Sequence, residues 1–379
     1  MDAKDILDIY RKVGGRVETR GKVTLTSKED FSVYYTPGVG KVSTYLSEHP
    51  EDARELSIKG NSVAVISDGT AVLGLGDIGP YGALPVMEGK ALIFKQLAGI
   101  DAWPLVLDTK DPEEIIRIVK AVAPNFGGIN LEDIAAPQCF EIEERLIEEL
   151  DIPVMHDDQH GTAIVTLAGL INASKVVGKD LNTMTAVVNG VGAAGVAIMR
   201  LLKRAYPGLT LRAVDSKGIV SSTRTDINGM KHTLLSEGTI IGDREGDLSS
   251  ALSGANIFIG VSKAHILSKE MVESMDEGPI VFAMANPVPE IMPEDAKAAG
   301  VAVMATGRSD FPNQINNALV FPGVFRGALD GKVRKITDDM KVRAAQAIAA
   351  LVENPTPEFV IPDILDERVV PAVAAAIHV

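Results

Sequence analysis

Apolar and polar positions alternate along the chain in two separate series. In the first, from Ser62 to Asp158, short runs rich in β-branched residues recur: VAVIS (Val63–Ser67), PLVLD (Pro104–Asp108), GGINL (Gly127–Leu131) and PVMHDD (Pro153–Asp158). Between them lie longer helical patterns, PEEIIRIVKAVA (Pro112–Ala123) and CFEIEERLIEEL (Cys139–Leu150). Strands alternating with helices predict parallel pairing through right-handed crossovers. In Pro112–Ala123 the residues Ile115, Val119 and Val122 share one face while Glu113, Glu114 and Lys120 sit elsewhere, as a helix covering a sheet requires.

A second series begins at TAVVN (Thr185–Asn189) and continues through LRAV (Leu211–Val214), NIFIG (Asn256–Gly260), IVFAMA (Ile280–Ala285) and VAVMATG (Val301–Gly307). Five strands with helical connections predict an independent Rossmann-type sheet. The segment Gly161–Gly178 has Ile164, Leu167, Ala168 and Ile171 at helical spacing and would connect the two units. The fold class is therefore α/β in two domains: residues 1–160 with parallel strands, residues 161–310 of Rossmann type, and a helical C-terminal segment, 311–379, returning to the first domain.

Charge narrows the partners. The 379 residues carry 37 Lys+Arg against 51 Asp+Glu, a net charge of −14, which argues against nucleic acid or an anionic membrane surface. Leu181–Met199 has no charged residue but contains Asn182, Asn189 and three glycines, too polar a mix to span a bilayer. Cys139 is the only cysteine, which excludes an internal disulfide and a multi-thiolate metal site. The start, MDAKDILDIYRK, places acids where a signal peptide would place bases, so a cytoplasmic location is expected.

Two glycine turns match Gly-x-Gly-x-x-Gly. The turn Gly190-Val-Gly192-Ala193-Ala194-Gly195 follows a five-residue apolar strand and opens a helix whose Ile198, Leu201, Leu202 and Ala205 form one stripe. Such a turn lets backbone approach a pyrophosphate, and Asp215, which closes the next strand, could accept both ribose hydroxyls. Asp215 favours NAD, yet Lys217 and Arg224 are near enough in sequence to compensate a 2′-phosphate, so NAD or NADP stays open. The other turn, Gly74–Gly79, leads into Pro80-Tyr-Gly82-Ala-Leu-Pro85, which should interrupt a helix and reads as a structural turn.

Acids crowd the ends of two predicted strands. Glu132 and Asp133 follow GGINL, and Asp157 and Asp158 follow PVMH. If those strands are neighbours, the carboxylates share one cleft, a costly arrangement without a cation, and oxygen ligands suit Mg²⁺ or Mn²⁺ rather than zinc. The same acids could instead cap the helices that follow. His156 and His160 flank the pair and would serve as hydrogen-bonding neighbours.

Taken in order, YYTPGVG (Tyr34–Gly40), GNSVAVISDGTAVLGLGDIG (Gly60–Gly79), PVMEGKALIFKQLAGID (Pro85–Asp101), NFGGINLEDI (Asn125–Ile134), PVMHDDQHGTA (Pro153–Ala163), VNGVGAAG, ANPVPE (Ala285–Glu290) and NQINNALVFPGV (Asn313–Val324) resemble the malic enzymes of the short prokaryotic kind. That resemblance covers nearly the whole chain. It implies oxidation of L-malate by NAD(P)⁺ with loss of CO₂ to give pyruvate. Tyr35 would be the general acid, Lys90 the general base and Asp157 a polar neighbour in the catalytic group. Glu132, Asp133 and Asp158 would hold Mg²⁺ or Mn²⁺. Asn286 and Asn317 would hold substrate. Gly190, Gly192, Ala193, Ala194, Gly195, Asp215 and Ser262 would bind the dinucleotide. Larger, eukaryotic-type members have a carboxylate-gripping arginine where this chain has Ala71.

The resemblance also implies a small-molecule substrate and a homodimer or higher homo-oligomer, with Tyr35 placed to act in a partner's site. Lys90 must be neutral to take a proton, and a nearby cation together with burial would lower its pKa. Rival readings are a metal-dependent oxaloacetate decarboxylase, a dehydrogenase for another 2-hydroxy acid, and a non-catalytic dinucleotide-binding sensor. The sensor would need the Gly190 turn but neither Lys90 nor the acids.

Overall fold

The computed structural model describes residues 2–227 and 229–378. Strands β1 (Ser62–Ser67), β2 (Asp101–Val106), β3 (Gly128–Leu131) and β4 (Val154–His156) form a parallel sheet in the order β2-β1-β3-β4. All six residues of β1 and all four of β3 are buried. Burial on both faces is what continuous runs such as VAVIS require of a covered parallel sheet.

Strands β5 (Thr185–Asn189), β6 (Thr210–Asp215), β7 (Gly218–Ile219), β8 (Ile257–Gly260), β9 (Ile280–Ala283) and β10 (Val303–Thr306) form the second sheet, in the order β10-β9-β8-β5-β6-β7. Every pairing is parallel except β6–β7. Chain order reverses between β5 and β8, and ligands of open α/β sheets bind in the crevice at such a reversal. The first sheet reverses likewise, between β1 and β3.

Three local expectations are corrected. Of PLVLD only Pro104–Val106 is strand, the end of one that starts at Asp101 and is held to β1 in register Ser62 to Asp101. β7 has two residues, too few to leave a period in the sequence. Gly79–Ala98 is one 20-residue helix despite Pro80, Gly82 and Pro85. Pro80 lies in the first turn, where its missing N–H has no intrahelical role. Pro85 has no N–H to donate to the Tyr81 carbonyl, and Tyr81 is 90% exposed, so water can serve it. Farther on, Met87, Lys90, Ala91 and Phe94 are buried, and their burial holds the helix against the first sheet.

The helix Asp157–Val177 starts directly from β4 and packs lengthwise on the helix Ala193–Ala205 of the second unit. Fourteen of its 21 residues are buried, so it is apolar all round, as an element enclosed between two layers must be. The C-terminal helices close over it: Asp338–Ala350 lies against it, and Phe321 and Phe325 of Phe321–Asp330 meet the Phe94 ring at steep angles, with ring centroids 4.7 and 5.5 Å away. No helix among the described residues is long and apolar enough to cross a membrane.

Candidate active site

The carboxyl ends of β3 and β4 meet the buried face of the Gly79–Ala98 helix, and five charged side chains converge there. Lys90 Nζ stands 3.0 Å from Glu132 Oε1 and donates a short hydrogen bond to Asp157 Oδ2. The ammonium also lies 4.5 Å from the centre of the Phe321 ring. Glu132, Asp133 and Asp158 each offer a carboxylate oxygen, all within 4.8 Å of one another. The backbone N–H of Asp133 donates to Asp158 Oδ2 at 2.7 Å, which ties the end of β3 to the start of the helix that follows β4.

Backbone geometry aims these groups. Asp133 has φ +54°, a left-handed conformation rare for a residue with a side chain, and its carbonyl accepts from the Ala71 N–H at 2.9 Å. Ala71 therefore secures the Asp133 turn through its backbone and supplies no cation. Asp157 and Asp158 occupy the first turn of their helix without capping it: His156 is the N-cap and makes no side-chain cap bond. Capping is thus not their role here. Asp158 faces Asp133, and Asp157 faces Lys90.

Electrostatics describe a site short of one cation. Burial, with Asp158 close by, pushes the Asp133 carboxyl up to about 7. Burial raises Glu132 well above the carboxylate range against the pull of Lys90, with Asp158 and Asp157 adding to the rise. Asp157 is pushed up to about 6 by burial, partly offset by Lys90. Asp133 Oδ2 is buried with no hydrogen-bond partner. Three converging hard oxygens, one of them orphaned, with Glu132 and Asp133 destabilised as anions, fit Mg²⁺ or Mn²⁺.

Lys90 is held charged by the acids around it. Burial disfavours its charge, but attraction from Asp157, then Glu132 and Asp158, outweighs it and holds the ammonium above its ordinary value. Without a dication the acids dominate and the lysine stays charged.

Beneath this cluster Glu143 gathers three donors. It accepts from the His156 backbone N–H at 2.7 Å and the Gln159 amide at 3.0 Å, and it pairs with His160 Nε2 at 3.0 Å. Burial opposes ionisation there, but His160, His156 and Lys341 hold the carboxyl down at about 2. His160 is thus a hydrogen-bonding neighbour, and the buried His156 ring reaches to 3.7 Å from Asp158 Oδ2. Sequence reading missed Glu143 in a glutamate-rich helix. The spacing of Cys139, Ile142, Glu143 and Leu146 along one buried face was the available signal.

The other residues expected of the site are distributed as follows. Asn317 sits close to Asp157 because Gly161 separates them: a Cβ there would fall 1.9 Å from Asp157 Oδ1 and 3.0 Å from Asn317 Cβ. Asn286 follows β9 and is exposed, with its carbonyl against Gly74 and its amide against Gly307. Tyr35 lies just past the helix Lys28–Tyr34, 65% exposed, and no hydrogen bond among the described residues joins its hydroxyl to Lys90 or the acids. Within one chain the structure does not bring Tyr35 into the cluster.

A cleft of about 830 Å³ opens at the β5–β8 reversal, lined by Gly190, Asp215, Lys217, Arg224, Asp247 and Ser262 among others. Gly190 has φ +116° and Gly195 packs so tightly that a Cβ would lie 1.9 Å from the Gly190 carbonyl oxygen. Gly192 borders open space, where a pyrophosphate would need bare backbone. Ala193 and Ala194 begin the helix. Asp215 accepts from Arg224 at 2.9 and 3.1 Å, Lys231 at 2.5 Å and the Lys217 N–H at 2.9 Å. Ribose hydroxyls must compete with these donors, and the cations beside Asp215 suit a 2′-phosphate as well, so the cleft fits NAD or NADP. Lys231 was the cation that sequence spacing did not reveal.

Comparison with known proteins bears on the same residues. The family model for the malic enzyme N-terminal domain matches residues 14–147, and that for the malic enzyme NAD binding domain matches 159–379. The chain is 54% identical over 367 residues to the NAD-dependent malic enzyme of Geobacillus stearothermophilus, covering 96% of this chain and 76% of that one. It is 50% identical to the bifunctional malic/malolactic enzyme of Bacillus subtilis (strain 168), covering 99% and 92%. The crystal structure of the NAD-dependent malic enzyme from Thermotoga maritima superposes with a TM-score of 0.95 at 47% identity, covering 100% of this chain and 99% of that one. Two consecutive family models, relatives matched over most of their length and a shared fold agree: this chain belongs to the malic enzyme family.

Proposed function

We propose that the Lys90 cluster carries out oxidative decarboxylation of L-malate to pyruvate and CO₂, with NAD⁺ or NADP⁺ as oxidant and Mg²⁺ or Mn²⁺ as metal. The observation that supports this most is Lys90 set between Asp157 and Glu132, beside three carboxylates sharing one small volume. Glu132, Asp133 and Asp158 would hold the metal, and the Gly190–Gly195 turn, Asp215 and Ser262 the dinucleotide. When bound, the dication would draw electron density from the substrate oxygens and the dinucleotide would take up the hydride.

The chain's own groups manage protons and position. With Glu132 and Asp158 engaged as ligands, their pull on the Lys90 ammonium would weaken, which would bring Lys90 toward the neutral amine that accepts the C2 hydroxyl proton. Asp157, in direct hydrogen bond with Lys90, is placed to receive that proton in turn. Asn317 and Asn286 would orient the carboxylates by hydrogen bonds. Tyr35 would protonate C3 after CO₂ departs.

Tyr35 reaches such a position across subunits in this reading, which makes the working form a homodimer or larger. The N-terminal helices support it: Ala3–Val13, Lys28–Tyr34 and Gly38–Glu48 bury no residue within one chain, and Leu7, Phe31 and Tyr34 are each more than half exposed. The division into units 1–160, 161–310 and 311–379 belongs to the same proposal, supported by the two separate sheets. So does a cytoplasmic setting, where malate and dinucleotide are both available.

The test is NAD(P)H absorbance with L-malate, with and without Mn²⁺, alongside a pyruvate assay. Metal-dependent, equimolar NAD(P)H and pyruvate are expected. Pyruvate from oxaloacetate alone would favour a decarboxylase, and NAD(P)H without pyruvate a simple dehydrogenase.

A further inference from the structure

Glu290 is fully buried, carries an ionisable group, and has no part in the chemistry described above. Its two oxygens serve different loops. Oε1 accepts from the Ser262 backbone N–H at 3.2 Å, just beyond β8, and Oε2 accepts from the Ala285 N–H at 3.0 Å, just beyond β9. The two loops have distinct duties. Ser262 Oγ accepts from the Asn189 amide at 2.6 Å at the end of β5, beside the glycine turn, whereas Ala285 precedes Asn286. Room for the carboxylate is made by Gly260, where a Cβ would fall 2.3 Å from Glu290 Cδ and 2.4 Å from Oε1.

Backbone bonds extend the link. The Leu267 N–H donates to the Glu290 carbonyl at 3.0 Å, and the His265 N–H to the Pro289 carbonyl at 3.2 Å. A surface glutamate would hold these loops as loosely as water does. A buried carboxylate without a counter-cation must be satisfied by the N–H groups it bridges, so moving either loop strips an acceptor of its donor. A neutral side chain of the same shape cannot accept from both: the amide of glutamine would set an N–H against an N–H.

We propose that Glu290 is a positioning residue that locks the Ser262 loop of the dinucleotide cleft to the Asn286 loop of the substrate site, so that dinucleotide and substrate are held in register for hydride transfer. This rests on the malic enzyme reading for its substrate and adds a coupling between the two loops.

Glu290→Gln and Gly260→Ala test it in the full chain, the second displacing the carboxylate without removing it. Four quantities are read: melting temperature, NADH affinity by calorimetry without substrate, and kcat and KM with malate and Mn²⁺. The proposal expects both variants to melt within a few degrees of wild type, to bind NADH about threefold or more weakly, and to lose tenfold or more in kcat with a raised KM for malate. A lower melting temperature with unchanged NADH affinity, kcat and KM would assign Glu290 to stability alone and overturn the proposal. So would unaltered behaviour of both variants, or failure of both to fold. Should the wild type itself fail to oxidise malate, the functional reading falls, while the NADH arm still judges the link.

Discussion

Lys90 Nζ and Glu132 Oε1 stand 3.0 Å apart although one comes from the middle of a helix and the other from the end of a strand. That contact makes the candidate base and the candidate metal site one electrostatic unit. Lys90→Ala should therefore lower kcat with malate by at least ~100-fold, the usual scale for losing a general base. Mn²⁺ and NADH should still bind, because the carboxylates and the glycine turn remain. Near-normal turnover in steady-state assays would remove Lys90 from the chemistry.

Asp158→Asn keeps an oxygen able to accept from the Asp133 N–H, so the loop should hold its shape. It removes a negative charge from the three-acid group, and Mn²⁺ affinity should fall by at least ~10-fold in a titration followed by electron paramagnetic resonance. An unchanged affinity would place the metal elsewhere.

Glu143 supplies a pH dependence independent of metal. Its folded value of about 2 lies below the ordinary glutamate value of 4.5, so its contribution to stability is present above that ordinary value and is lost as pH falls toward 2. At neutral pH the shift corresponds to roughly 3 kcal/mol. The melting temperature of metal-free Glu143→Gln should lie below wild type at pH 7, and the gap should close on acidification. A gap that is constant with pH would mean that the carboxylate is not held by its histidine and lysine neighbours.

Gly195→Val forces a side chain into the space of the Gly190 carbonyl, 1.9 Å from where its Cβ must go. NADH binding, followed by fluorescence, should fall at least ~10-fold, while Mn²⁺ binding at the other sheet persists. Retained NADH affinity would move the dinucleotide to another cleft.

Mixed dimers decide where Tyr35 acts. When Lys90→Ala and Tyr35→Phe chains are co-expressed, action across subunits gives each mixed dimer one intact site, or about a quarter of wild-type sites under random pairing. Action within a chain gives none. Activity no greater than that of the separate variants would confine Tyr35 to its own chain.

Much of this was legible in the sequence because buried parallel strands write themselves as β-branched runs: VAVIS, TAVVN and IVFA fall in β1, β5 and β9. Acids immediately after β3 and β4 were visible for the same reason. The helix carrying Lys90 was hidden because local propensity at Pro80, Gly82 and Pro85 opposes it, while the force that fixes it is burial of Met87 and Phe94 against distant elements. Glu143 and Glu290 were hidden by their type: a buried glutamate differs from a surface one only through partners far away in the chain. Of the cations around Asp215, Lys217 and Arg224 were visible by nearness in sequence, whereas Lys231 comes from a helix beyond β7 that no spacing rule announces.

Gly161 carries no functional group, yet the closeness of Asp157 to Asn317 depends on the single hydrogen it presents between them. A survey of this enzyme confined to polar side chains would pass over it. Adding one methyl group at that position should wedge Asp157 and Asn317 apart, so a substitution that touches no polar group would still disturb the pair.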